Sequence, residues 1–248
     1  MTIPTSLEDA IQQSKAATLT ALDSGCQRIQ VDLVFPEIAL QAQAIARQYT
    51  ELFAHYGSGL KVLFADTGAA ALARRDWGET EFRVNDLGSR FTPVTTKISD
   101  TDEMYLVVCP SSVEVEAVEK LCNATEGKPV VILIPQLESV ATVGIGYAAR
   151  QLRDRFLSTL ETAYYIRPFE GGVVFRQFPS LWQVWLAAET EDGEGYELIA
   201  EESQRPAGEG LERILLRHAQ GNAEPGAVQP KKMGVLGSLQ QLFRALSQ

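Results

Sequence analysis

Along the chain the spacing of apolar residues switches repeatedly between a helical period and short extended runs. Leu7, Ile11, Leu19 and Leu22 fall at helical spacing between Ser6 and the stop at Gly25, and Ser6 with Asp9 makes an N-cap arrangement. The segment 28-RIQVDLVF-35 alternates like a strand and ends at Pro36. A helix is predicted from Glu37 to His55, a buried strand over 60-LKVLFAD-66, and a helix from Gly68 to Arg75. After a less regular stretch holding a short strand near 81–87 and an acidic turn at 98–103, 104-MYLVVCP-110 and 129-PVVILIP-135 read as continuous apolar strands. The helix predicted between them, 112–124, carries Val113, Val115, Ala117, Val118 and Leu121 on its apolar face.

The chain changes character after that. A helix over 147–160 leads into 162-TAYYIRPF-169, 172-GVVFRQF-178 and 181-LWQVWLAAE-189, with turn signals at Gly171-Gly172 and Pro179-Ser180. A strand near 195–202 and a helix near 208–219 complete the predicted core. Strands apolar on both faces and alternating with helices require a sheet covered on two sides. The expectation is a three-layer α/β fold with a mainly parallel sheet and an antiparallel C-terminal extension. Residues 1–218 are expected to form one domain, 219–232 a Gly/Pro/Gln-rich linker, and 233–248 a separate amphipathic helix.

Charge narrows the range of partners. The formal net charge is −10, which opposes broad electrostatic binding to nucleic acid. Three widely spaced cysteines (Cys26, Cys109, Cys122) without a C-x-x-C read as free buried thiols, and two separated histidines do not suggest a zinc site. The N-terminus lacks a secretory pattern and no apolar run is long enough to cross a bilayer, so a cytoplasmic protein, with room for peripheral membrane contact, is expected.

Gly144-Ile145-Gly146-Tyr147-Ala148-Ala149 formally matches the dinucleotide fingerprint, but the preceding strand ends nine residues earlier, at Pro135. A true site needs the glycines directly after the strand, so a loop entering a helix is the better reading and no cofactor is expected. Other ligand candidates lie where α/β sheets place them, beyond strand carboxyl ends: Asp66, Thr67, Ser111 and Ser112. The same residues suit helix capping, with Thr67 or Ser111 as N-cap. Arg167, Arg176 and Trp182 sit among aromatics and suit either a protein contact or an antiparallel core layer. The acidic run 189–202 reads as a solvated hairpin.

The sharpest local pattern is at the end. Val235, Leu236, Leu239, Leu242, Phe243 and Leu246 share one helical face, and from residue 225 onward there is no acid, while Lys231, Lys232 and Arg244 are basic. Such a tethered helix can lie in a membrane interface, dock in a partner's groove, or fold back on its own domain.

The block 161-ETAYYIRPFEGGVVFRQFPSLWQVWLAAE-189, preceded by the apolar strand ending in Pro135 and a Gly-rich turn, resembles an uncharacterised domain shared by cyanobacteria and chloroplasts. That family includes the low-photosystem-II-accumulation type of assembly factor, and related domains occur fused to plastid adenylate kinase. The resemblance spans residues 1–200 or so and is strongest over 130–186. It implies an auxiliary role in assembling photosynthetic membrane complexes beside the thylakoid, with photosynthetic membrane protein subunits as partners. It carries no catalytic residues with it. The alternative from the strand ends is a nucleotide or other small-molecule binding protein or enzyme.

Overall fold

Strands that are apolar on both faces must be roofed on both, and the computed structural model, which describes residues 2–137, 147–190 and 193–221, has this arrangement. The elements are α1 (Leu7–Asp23), β1 (Arg28–Leu33), α2 (Ile38–Leu52), β2 (Leu60–Phe64), α3 (Thr67–Trp77), β3 (Arg83–Asp86), β4 (Met104–Val108) and α4 (Val115–Ala124). They continue with β5 (Val130–Leu133), α5 (Tyr147–Arg155), β6 (Glu161–Phe169), β7 (Gly172–Gln177), β8 (Trp182–Thr190), β9 (Gly193–Glu202) and α6 (Glu209–Gly221). One nine-stranded sheet runs in the order β3-β2-β4-β5-β1-β6-β7-β8-β9.

The strands from β3 across to β6 pair in parallel, and β6 to β9 pair antiparallel as hairpins. The segment 162–169, expected in the antiparallel group, therefore belongs to both halves. It lies parallel to β1 with a bulge at Gln30/Val31 and antiparallel to β7. Crossovers from β1 to β2 and from β2 to β3 move toward one edge and lay α2 and α3 on the face that α1 also covers. Crossovers from β4 to β5 and from β5 to β6 move the other way and lay α4 and α5 on the opposite face. Opposite directions on opposite faces are what right-handed crossovers demand.

Local sequence explains most element ends. Ser6 Oγ accepts the Asp9 amide at 3.0 Å and opens α1. Alanines 10, 17 and 21 let this helix sit close to the sheet, and its buried Ser14 hydroxyl accepts the Tyr49 hydroxyl of α2 at 2.7 Å. The cap of α3 is Asp66, whose carboxylate accepts the Ala69 amide, rather than Thr67. Val113 precedes α4 and points to solvent instead of joining its apolar face, because the Ser111–Glu114 turn comes first.

The acidic turn at 98–103 is only partly solvated. Asp102 is 0% exposed and meets Lys61 Nζ at 2.6 Å, with Arg83 at 2.9 Å from its other oxygen. Lys61 itself is 2% exposed, on a strand otherwise apolar. Burial alone would push the Asp102 carboxyl up, but the Lys61 ammonium and the Ser99 amide outweigh it and hold the group below its ordinary value.

Candidate functional site at the carboxyl edge of the sheet

β1 differs chemically from the other central strands. Ile29, Val31 and Leu33 face the α1–α2 layer and are buried, whereas Gln30 and Asp32 face the other way. Cross-strand pairing sets Thr162 beside Gln30 and Tyr165 beside Asp32, so a polar stripe crosses from β1 to β6 on the α5 side. Gln30 Nε2 donates to Thr162 Oγ1 at 2.8 Å. Arg167, two residues beyond Tyr165 on β6, brings a positive charge toward the Tyr165 hydroxyl.

This stripe floors a groove of about 540 Å³ that opens at the carboxyl ends of β1, β5 and β6. Leu157 and Leu137 give it an apolar wall, and Arg205 and Ala207, on the connection to α6, the opposite one. The Arg205 guanidinium lies over the Tyr165 ring, 5.7 Å from its centre, and the ring packs edge-on against Trp182. Burial pushes the Tyr165 hydroxyl up, and the Asp32 charge adds to this against the opposing pull of Arg205 and Arg167, so it stays a protonated donor at neutral pH. Asp32 and Arg205 also hold contacts within the chain. The size and mix of one apolar wall with converging polar groups are those of small-molecule sites.

The edge around the groove is strained. Glu37 after β1, Cys109 after β4 and Ile134 after β5 have φ of 58°, 49° and 53°. Left-handed backbone costs a non-glycine residue about 1–3 kcal/mol, and Cys109 and Ile134 each precede a proline. The ladder holds the last two in place: Cys109 N donates to Leu133 O and Ile134 N to Val31 O, both at 2.8 Å. Pairing resumes beyond the kinks between Ser111 and Gln136. The same rim exposes large apolar side chains. Leu40, Phe91 and Val113 are 76%, 85% and 83% exposed, each on a segment leaving a strand's carboxyl end, and half-exposed Val34 joins them beside the groove.

The other ligand candidates from the strand ends sit at the β2/β4 switch point. Asp66 is committed to capping, and Thr67 donates to Asp86 Oδ2 at 3.3 Å. Ser111 donates to Glu114 at 2.7 Å, and Ser112 follows it in the same turn. Asp86 forms an ion pair with Lys97 and accepts the Gly88 amide. The structure brings these residues to one edge but engages most of their polar atoms internally.

Arg176 lies half-buried between Glu161 (2.7 Å), the Ser180 carbonyl and the Trp182 ring, and Trp182 is buried. Arg167 is the exposed member of that trio and the one at the groove. A second cavity, about 420 Å³ at the strand amino ends, contains Cys26 and Cys122. Its Arg28 already bonds Cys122 O, Asn123 and Thr159, and burial pushes the Cys122 thiol up to about 12. Among the described residues no cluster of three metal-ligating side chains occurs and no helix is long and apolar enough to cross a membrane. Residues Gly144–Gly146 and the basic C-terminal set (Lys231, Lys232, Leu236, Leu239, Leu242, Phe243, Arg244, Leu246) lie outside the described residues.

Residues 4–213 match a family model described as a domain of unknown function, DUF1995. The chain belongs to the DUF1995 family. The matched DUF1995 region takes in the whole sheet, the groove and the exposed rim, and it ends before the C-terminal segment. No curated protein and no solved structure matches the chain.

Gln30, Asp32, Tyr165 and Arg205 are groove residues that sequence reasoning missed. A signal for Asp32 existed in the alternation of 28–33, since the strands at 60–64, 104–108 and 130–133 do not alternate. Nothing local marks Arg205.

Proposed function

We propose that this protein is an auxiliary factor for photosynthetic membrane complexes, of the photosystem II assembly type, that binds an unassembled subunit at the thylakoid surface. The observation that carries this reading is the apolar rim: Leu40, Phe91 and Val113 keep nearly full exposure on one edge of the sheet. Large apolar side chains exposed along one edge of a sheet are candidates for a contact surface. Family membership supports it through the resemblance of 161–189 to assembly factors. The C-terminal segment, read as an amphipathic helix on a linker, adds membrane affinity through Leu236, Leu239, Leu242, Phe243 and Leu246, and each of Lys231, Lys232 and Arg244 contributes about 1 kcal/mol at an anionic surface.

The test has two parts. The full chain should co-sediment with anionic glycolipid vesicles in a salt-sensitive way, and a chain ending at Pro230 should not. A Leu40→Asp/Phe91→Asp/Val113→Asp variant, with unchanged melting temperature, should lose capture of photosystem II subunits from solubilised thylakoids. Capture equal to the parent's would refute the rim as the docking surface. A second reading, small-molecule binding at the carboxyl edge of the sheet, draws support from the groove at β1 and β6.

A further inference from the structure

We propose that the groove over β1 and β6 is a binding site for a small phosphorylated polyol, of the sugar-phosphate or nucleotide class. The inference rests on the small-molecule reading and is independent of the rim and the C-terminal segment. Charge distribution leads the argument. In a chain of net charge −10, Arg167 and Arg205 flank the groove mouth, and a smaller cavity sharing Arg205 and Ala207 continues from it past Arg213 and Arg217 on α6. Four arginines line this joined path against the carboxylates of Asp32 and Glu202. Guanidinium forks match phosphate oxygens two at a time, and a path of them suits a ligand with more than one negative oxygen.

The floor selects the rest of the ligand. Asp32, buried at 8% exposure, is acceptor-only when ionised. It has lone pairs enough for hydroxyl donors besides its contact within the chain. A carboxylate this deep between arginines would repel a bare polyanion but receives the vicinal hydroxyls of a sugar. The Tyr165 hydroxyl and the Gln30 and Gln136 amides offer neutral partners, and the apolar wall of Leu137 and Leu157 faces the carbon skeleton. A zwitterionic amino acid would satisfy Asp32 and one arginine but leave the arginines of α6 without a role. The observations therefore favour phosphate at the mouth and hydroxyls at the floor.

The experiment titrates the full chain calorimetrically with ribose 5-phosphate, ADP, pyrophosphate, citrate and glycine, alongside melting curves. Ribose 5-phosphate or ADP should bind and raise the melting temperature, and Arg167→Gln and Arg205→Gln should each weaken that binding about tenfold. These two side chains are exposed and half-buried, so the fold should survive their loss. Asp32→Asn should weaken the polyol phosphates about tenfold without weakening pyrophosphate, and Gln30→Ala is the second floor variant should Asp32→Asn fail to fold. The proposal is overturned if no phosphorylated probe binds at about 10 mM, or if binding survives both arginine variants. It is overturned equally if citrate or glycine binds as tightly as the polyol phosphates, in which case a groove ligand exists but belongs to another class.

Discussion

Replacing Asp102 by Asn isolates the cost of leaving the buried Lys61 ammonium without its counter-charge. The side chains are nearly isosteric, so packing is kept and the charge is removed. At 2.6 Å and an effective dielectric constant of about 20, the pair's attraction is about 6 kcal/mol. The loss cannot reach that figure, because Lys61 Nζ keeps its hydrogen bond to the Lys97 carbonyl and still faces the neutral Asn oxygen. Arg83 is 41% exposed and can turn to water, so it adds little. The expected destabilisation is about 3–4 kcal/mol, in line with other broken buried pairs, and a fall in melting temperature of about 6–16 °C for a chain of this length. Urea unfolding at pH 7 measures it. Adding Lys61→Met should restore most of the stability. A loss under about 1 kcal/mol at pH 7 would refute the argument that this pair is desolvated and mutually dependent.

The wild-type protein should lose stability as pH falls below about 4, because Asp102 and Asp86 are held below their ordinary values when folded; their contribution is complete above the unfolded pKa and disappears as the folded pKa is passed, which acid unfolding monitored by tryptophan fluorescence reads directly. Gly172→Ala should cost about 2 kcal/mol or more, since an added Cβ would sit 2.3 Å from the Trp185 carbonyl oxygen, and chemical denaturation would report it. Ser6→Ala removes the cap of α1 and should cost about 1 kcal/mol in the same assay. Cys122 should resist thiol reagents at pH 8 in the native state and react only on unfolding, and fast native labelling at this position, mapped by mass spectrometry, would contradict its burial.

The layers of the fold were legible because β2, β4 and β5 are apolar on both faces at every position but Lys61, a pattern that only a strand covered on two sides tolerates. Lys61 interrupts one of them, yet its head reaches past the strand's amino end to a carboxylate forty-one positions away, a pairing no local pattern encodes. The antiparallel pairing of β6 was legible and its parallel one was not, for a related reason: its hairpin partner is next in sequence, whereas its parallel partner β1 was completed more than a hundred residues earlier. The groove was hidden by the same non-locality. The alternation of β1 would ordinarily mean a strand with one side in water. Pairing with β5 and β6 makes β1 a central strand, and Leu137, Leu157 and Arg205, brought over the face of Gln30 and Asp32, turn an ordinary polar face into a lined cavity. Asp66 and Ser111 were correctly located at the sheet's carboxyl edge, but short polar side chains there serve capping and turns as readily as ligands, and here both form such local bonds.

The two ends of the sheet are unequal. β3 closes one with four residues, while β9 closes the other with ten, long enough to recruit a foreign strand. Its exposed Glu197 and Glu201 put like charges in the way, so a second copy arriving edge-on would bring carboxylates against carboxylates. This guard lasts only while those charges are unscreened. In concentrated salt the first failure expected of this protein is therefore not unfolding but ordered self-association along β9, and Glu197→Gln/Glu201→Gln should bring it on at low salt.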